Sequence, residues 1–304
     1  MKLLVETRSG KSIGTLDVVE DLPVKQFKKK FHALKKKYHP SRQRFTLPLR
    51  AGEKKATVLE DSKTLRDYGL QDGSVLHFKD LGMQVGYSTV FFWEYFGPLL
   101  VYPLFYALPQ LMYPGMRPPA ERPLVQTLAL AYWSLHYTKR IAETFLVHKF
   151  GHETMPVFNL VRNCLYYWGF AAFVSYFNNH PRYTAPPLVQ TQAALALALL
   201  CQLANWRCHV ILANLRKPGE KGYKIPRGFL FNFITCANYT AEIWGWTCFS
   251  VAVQALPAAI FTLVGAAQMT QWALQKHARL RKTFDGKEGR EKYPRRWIVL
   301  PPLL

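Results

Sequence analysis

The segment from Phe229 to Val253 reads as a membrane span, yet its middle carries Asn238, Tyr239 and Glu242. An ionisable side chain at membrane depth costs about 2.5–3.5 kcal/mol, so it normally faces a cavity or a partner rather than lipid. Asn238 and Glu242 stand four residues apart and share one helix face, with Tyr239 beside them. Hydrogen-bonding groups gathered inside an apolar segment point to a site for a polar ligand.

A second concentration is His136-Tyr137-Thr138-Lys139-Arg140, followed by Glu143. Tyr137 and Arg140 share a face, as do Lys139 and Glu143. Cations at the end of an apolar helix read either as snorkelling side chains or as ligand contacts. Another apolar segment ends with Asn205, His209 and then Arg216-Lys217-Pro218-Gly219-Glu220, and an earlier one holds Glu94, with Gln84 just before it. Gln84, Arg140, Asn205, Arg216 and Lys276 fall at one level, the expected cytosolic ends of the spans; Asn238 and Glu242 lie deeper. That gradient describes a pocket with a cationic mouth suited to phosphates and a polar floor. Apolar walls suit a lipid chain, so a ligand with both parts, or two ligands, is expected.

His148 and His152 form an H-x-x-x-H pair of the kind used by membrane di-iron hydroxylases. Such enzymes need further histidine clusters, and His180, His209 and His277 are isolated in sequence, so no metal is expected. No G-x-G-x-x-G, G-x-S-x-G or P-loop occurs, so a soluble nucleotide-binding or hydrolase domain is not supported.

The elements that must position these groups divide the 304 residues into two parts, 1–82 and 83–304. The first is charged and reads as β-β-α-β-β. Its strands are Leu3 to Val5, Ile13 to Leu16, Phe45 to Leu49 and Ser74 to Phe78, with a turn at Ser9-Gly10. Pro23 opens a helix in which Val24, Phe27, Phe31, Leu34 and Tyr38 recur at helical spacing, opposite Lys25, Lys28, Lys29, Lys35 and Lys36. This order, with LxDYGLQDGSVLHF at its end, resembles a ubiquitin-like α+β domain. No diglycine follows it, so a docking or stabilising module is expected rather than a conjugated tag.

The second part reads as an α-helical polytopic membrane domain of about six spans: Ser88–Met112, Leu124–Val147, Phe158–Phe177, Leu188–Leu212, Phe229–Ser250 and Val253–Leu274. Prolines at 98, 103 and 109 are expected to kink the first. The loop from Ala213 to Gly228 holds Arg216, Lys217, Lys221, Lys224 and Arg227, and the tail is also basic. The opposite connections hold only Arg117, Arg122 and Arg182. Both termini are therefore expected in the cytosol. The formal charge of +21 is concentrated beside apolar segments, so membrane topology and anionic lipid account for it, and no nucleic-acid partner is expected. The opening apolar run is too short for a cleavable signal. Cys164, Cys201, Cys208, Cys236 and Cys248 lack paired spacing and read as reduced core residues.

The strings HYTKRIAETFLVHKFGHETMP, NCLYYWGF, NNHPRYT, LRKPGEKGYKIPRGFLFNFITCANYTAEIWGW and KHARLRKTFDG…KYPRRW resemble the trans-2,3-enoyl-CoA reductases, which belong with the steroid 5-alpha-reductases. The resemblance covers nearly the whole chain, and LRKTFDGKEGREKYPRRW is closest to plant-type members. It implies the last step of microsomal very-long-chain fatty acid elongation, feeding sphingolipid and wax synthesis. It also implies a long-chain trans-2-enoyl-CoA substrate, NADPH bound between membrane helices, residence in the endoplasmic reticulum and association with the other elongase enzymes. By matching motif, Arg140, Asn205, Arg216, Asn238 and Glu242 resemble NADPH-contacting positions. Lys139, Arg140 and Tyr239 resemble positions needed for enoyl reduction, with Gln84 and Glu94 also implicated. Two departures stand out: His209 lies where the steroid reductases often carry an acid, and no aromatic lies near Leu280. Lys276 and His277 are expected to supply phosphate contacts instead.

On this reading Tyr239 protonates the α-carbon of the reduced substrate, with Lys139 or Arg140 easing release of its proton. Three other readings fit the same residues: a steroid-reducing enzyme, a membrane methyltransferase of related architecture that uses S-adenosylmethionine, and a non-enzymatic scaffold whose polar cluster binds helices together.

Overall fold

The computed structural model describes every residue except 50, 51, 53, 54, 118–120, 151–153, 217–219, 221 and 304. Two compact units emerge, Met1–Tyr87 with His152–Leu160, and Ser88–Gly151 with Val161–Leu304.

In the first unit, alternation along β1 (Lys2–Glu6) turns Leu3 and Val5 inward. β1 pairs antiparallel with β2 (Ser12–Asp17), across a turn in which Gly10 takes the left-handed φ of 79°. β3 (Gln43–Thr46) and β4 (Val75–Asp80) complete a sheet of order β2-β1-β4-β3. β1 and β4 run parallel, which demands a crossover, and α1 (Val24–Leu34) lies within it. α1 buries Val24, Phe27 and Phe31. Phe27 and Phe31 meet Phe45 edge-on at centroid distances of 5.0 and 5.2 Å. Gln43 is buried and donates to the carbonyls of Lys28 and Tyr38, at 3.0 and 2.8 Å. The third strand stops at Thr46 rather than reaching Leu49. A two-stranded sheet of β5 (Gln84–Gly86) and β6 (Thr154–Pro156) closes this unit.

The second unit is helical: α2 (Tyr87–Ala107), a single turn α3 (Pro109–Met112), α4 (Leu124–Leu146), α5 (Val157–Asn178), α6 (Leu188–Ala213), α7 (Ala237–Val253) and α8 (Leu256–Thr283). Six long helices thus lie where six spans are expected. Among the described residues only α6 is, by length and composition, apolar enough to cross a membrane. Large apolar side chains face outward along several of them: Leu165, Leu197, Leu200, Leu203 and Leu263 are each more than half exposed.

Three boundaries differ from the sequence reading. The first helix breaks at Leu108, where Pro109 starts a new turn. The fifth begins at Ala237, not Phe229: Gly228 and Phe229 both have positive φ, and 229–232 form a 3-10 turn. The sixth continues to Thr283 and takes in the first part of the basic tail. α7 ends at Gln254, in the left-handed region.

Aromatic rings fill the helical core. Trp133, fully buried, packs among Tyr102, Tyr137, Trp246, Phe249 and Phe261 and donates to the carbonyl of Pro98 at 3.1 Å. Trp168 reaches across Gly97 to donate to the carbonyl of Trp93 at 2.9 Å. A Cβ at position 97 would lie 1.8 Å from the Trp168 indole nitrogen, so that crossing requires glycine.

Candidate active site

α4, α6 and α7 bring the polar residues together. Lys139 and Arg140 sit on consecutive positions of α4, share Glu143 and otherwise reach different partners. The Lys139 ammonium donates to the side-chain oxygens of Asn205 and Gln202 on α6, the latter at 3.3 Å, and lies 3.4 Å from Glu143 Oε1. Asn205 passes the contact on, donating to the carbonyl of Asn238 at 2.9 Å and to Glu242 Oε2 at 3.4 Å. Five of the residues expected at the site, Lys139, Arg140, Asn205, Asn238 and Glu242, therefore belong to one buried or half-buried centre.

Arg140 is 8% exposed and its guanidinium is held on two sides. Nη1 donates to Glu143 Oε2 at 2.7 Å and lies 3.2 Å from His209 Nδ1. Nη2 donates to the hydroxyl of Tyr95 on α2 at 2.8 Å. His209 Nδ1 lies 3.0 Å from the same Glu143 oxygen. His209 thus sits against both Arg140 and Glu143, and the counter-charge to Arg140 is the Glu143 carboxylate. Buried cations need such company, because an unpaired charge in this interior is strongly unfavourable. Three atoms here are buried without a hydrogen-bond partner among the described residues, Asn238 Oδ1, Glu143 Oε1 and Arg140 Nε. Two are acceptors and the third a donor, so the centre retains capacity for a polar ligand.

The remaining expected residues make no hydrogen bond to this centre among the described residues. Glu94 is buried on α2 and accepts from Asn163 of α5 at 2.6 Å. Tyr239, the next residue of α7 after Asn238, packs against Trp272, at 6.4 Å between centroids, and a cluster containing Cys236, Ile243, Ala273 and Val299. Neither Lys139 nor Arg140 hydrogen-bonds to it among the described residues. His277 on α8 meets Thr235 at 2.7 Å, and Tyr293 donates to the same threonine at 3.0 Å. Lys276 is half-buried beside it. Arg216 is exposed just beyond α6, next to Lys217, which with Lys221 lies outside the described residues. Gln84 belongs to the first unit, where its amide donates to the carbonyl of Leu81 at 2.8 Å and accepts from Thr154 at 3.3 Å.

Tyr95, Asn163, Gln202 and Thr235 were not singled out from sequence. A tyrosine or amide in an apolar helix looks like ordinary packing until the facing helix is known. Gln202 also donates to the hydroxyl of Tyr132 and lies 2.8 Å from His136 Nδ1, which orients the amide toward Lys139.

His152 lies outside the described residues, so the H-x-x-x-H pair is not seen as a whole. Glu143, His148 and His209 do each offer a ligand atom within 4.8 Å of one another. The Arg140 guanidinium already contacts Glu143 Oε2 and His209 Nδ1, and a metal cation placed there would meet it.

Sequence comparison places a helical domain with this buried centre in a class. The 3-oxo-5-alpha-steroid 4-dehydrogenase model matches residues 153–304, and the ubiquitin family model matches residues 3–78. The very-long-chain enoyl-CoA reductase of Dictyostelium discoideum is 43% identical over 303 residues, covering 99% of this chain and 98% of its own. A trans-2,3-enoyl-CoA reductase-like protein of Mus musculus is 34% identical over 293 residues, covering 93% and 79%. The chain belongs to the enoyl-CoA reductase family within the steroid 5-alpha-reductase group.

Proposed function

We propose that this chain reduces the trans-2,3 double bond of a long-chain enoyl-CoA with NADPH, giving the saturated acyl-CoA that ends a cycle of very-long-chain fatty acid elongation. The observation that carries the reading is the buried line from Lys139 through Asn205 to Asn238 and Glu242, with Asn238 Oδ1 and Arg140 Nε left over beside it. Cationic, amide and carboxylate groups buried together suit a dinucleotide, which presents phosphates, hydroxyls and an amide. Arg140, Asn205, Asn238 and Glu242 would hold it, with Arg216, Lys276 and His277 toward the phosphates.

The cofactor, when bound, supplies the hydride that the substrate β-carbon receives. Charge then grows on the thioester oxygen, where a positioned donor lowers the barrier. Glu94, fixed by Asn163, is the candidate for thioester contact. Tyr239 gives its phenolic proton to the α-carbon: the O–H bond breaks, a C–H bond forms, and the phenolate is reprotonated from solvent. The positive charges of Lys139 and Arg140 favour release of that proton without a hydrogen bond to Tyr239.

The six long helices are read as spans of the endoplasmic reticulum membrane with both termini cytosolic. Outward-facing Leu165, Leu197, Leu200, Leu203 and Leu263 support lipid exposure, and the basic loop and tail support the orientation. Other enzymes of the elongase complex are the expected partners.

NADPH oxidation by purified protein, with and without a long-chain trans-2-enoyl-CoA, tests the activity. Substrate-dependent oxidation is expected, and its absence in folded protein would overturn the reading. Tyr239→Phe should lower kcat by about 10²–10⁴-fold with NADPH affinity unchanged; normal turnover would remove Tyr239 from the acid role.

A further inference from the structure

The first unit concentrates basic charge on and just after α1. Ten lysines and arginines, and no acid, stand between Val24 and Gly52. α1 turns Val24, Phe27 and Phe31 into the core and leaves Lys25, Lys29 and Lys30 exposed, with exposed Lys36 and Lys37 just beyond its end. Lys28 pairs with Asp61 at 2.7 Å, but those five lysines pair with no carboxylate among the described residues. Several acids of the unit are engaged elsewhere: Glu20 and Asp21 meet Arg66, Asp72 accepts from the backbone of Lys2, and Asp80 holds Arg42. A body so polarised orients on a negatively charged surface.

Covalent continuity says which surface. β5 ends at Gly86 and α2 starts at Tyr87; β6 ends at Pro156 and α5 starts at Val157. The β5–β6 sheet is further tied by Val157, whose backbone N–H donates to the carbonyl of Met83 at 2.8 Å. The unit thus leaves directly into two long helices with no linker at either exit. A headgroup layer through which both helices pass is its permanent neighbour, at an effective concentration no soluble partner matches. Strings of unpaired lysines beside a bilayer are attracted to anionic lipid, within a Debye length of the surface.

We propose that the lysine face of α1, extended by Lys36 and Lys37, binds anionic phospholipid headgroups of the membrane that holds the helical unit. This rests on the membrane-spanning reading of α2 and α5.

The test is amine acetylation of the full-length protein in bilayer nanodiscs, of phosphatidylcholine alone or mixed with phosphatidylserine, read residue by residue. Reactivity of Lys25, Lys29, Lys30, Lys36 and Lys37 should fall several-fold in the anionic discs and recover in high salt, with Lys11 as the internal reference. A Lys25→Glu, Lys29→Glu, Lys30→Glu variant should lose the lipid-dependent protection of Lys36 and Lys37; these sites are exposed, so the fold should survive. Equal reactivity in both discs would overturn the proposal and leave the spanning reading intact. Protection found in native microsomes but not in anionic discs would assign the face to an acidic protein and overturn it. Protein that alkaline carbonate strips from lipid would overturn the spanning reading, and this proposal with it.

Discussion

The two units of the molecule treat charge in opposite ways. In the first, ion pairs such as Arg66 with Glu20 and Asp21 lie at the surface, and the interior is a packed set of leucines, valines and phenylalanines. In the second, Arg140, Glu143, His209 and Glu94 are all buried. Exposed pairs contribute about 0–1 kcal/mol. Buried ones rarely stabilise more than an apolar replacement of the same shape would. The first unit therefore has the composition of a structural module. The second retains a set of charges that folding alone does not explain, which is what a ligand-binding centre requires.

The sharpest way to break this contrast is Glu143→Ala. It leaves Arg140 buried without its carboxylate and should cost about 3–5 kcal/mol, read as a large fall in the thermal unfolding of the solubilised protein. An unchanged melting temperature would mean that water reaches the centre and that its charges are not structurally coupled. Gly97→Ala comes next. The new methyl collides with Trp168, so repacking of α2 on α5 should cost about 1–3 kcal/mol and be partly relieved by adding Trp168→Leu. The same assay without loss would place the two helices further apart than described.

The smallest effect belongs to the first unit. Arg42 donates twice to Asp80, at 3.0 and 2.6 Å, and these hydrogen bonds hold the Asp80 carboxyl below the usual carboxylate range. A depressed folded value means that the pair stabilises above the unfolded pKa of about 3.9 and loses its contribution as pH falls through the folded one. Asp80→Asn should therefore lower stability by no more than about 1 kcal/mol at neutral pH, with the difference fading in acid. A difference that grew in acid would contradict the assignment.

Much of this was legible in the chain itself. The alternation around Leu3 and Val5 and the helical spacing of Val24, Phe27 and Phe31 specify the first unit, because each side chain has one buried face to choose. Lys139, Arg140, Asn205, Asn238 and Glu242 stood out because a charge or amide in an apolar run has few innocent explanations. The start of α7 did not stand out: hydropathy counts Phe229 to Thr235 as apolar but is blind to the positive φ at Phe229 that bars a continuous helix there. Tyr95 and Asn163 were illegible for another reason. Their roles depend on which helix faces α2, and that is a property of packing rather than of pattern.

The stretch after α8 has a further consequence. Thr235 donates its N–H to the carbonyl of Trp297 at 2.8 Å, Cys236 donates to Ile298 at 3.0 Å, and the Thr240 hydroxyl reaches the carbonyl of Val299. The first turn of α7, which carries Asn238 and Tyr239, is thus fastened by chain that lies beyond the whole α7–α8 hairpin. Loop closure over that span cannot be completed until the hairpin has formed, so the floor of the candidate site belongs to the slow, non-local part of the folding reaction. Refolding followed by hydrogen exchange should show the amides of Thr235 and Cys236 gaining protection after those in the middle of α7 and α8.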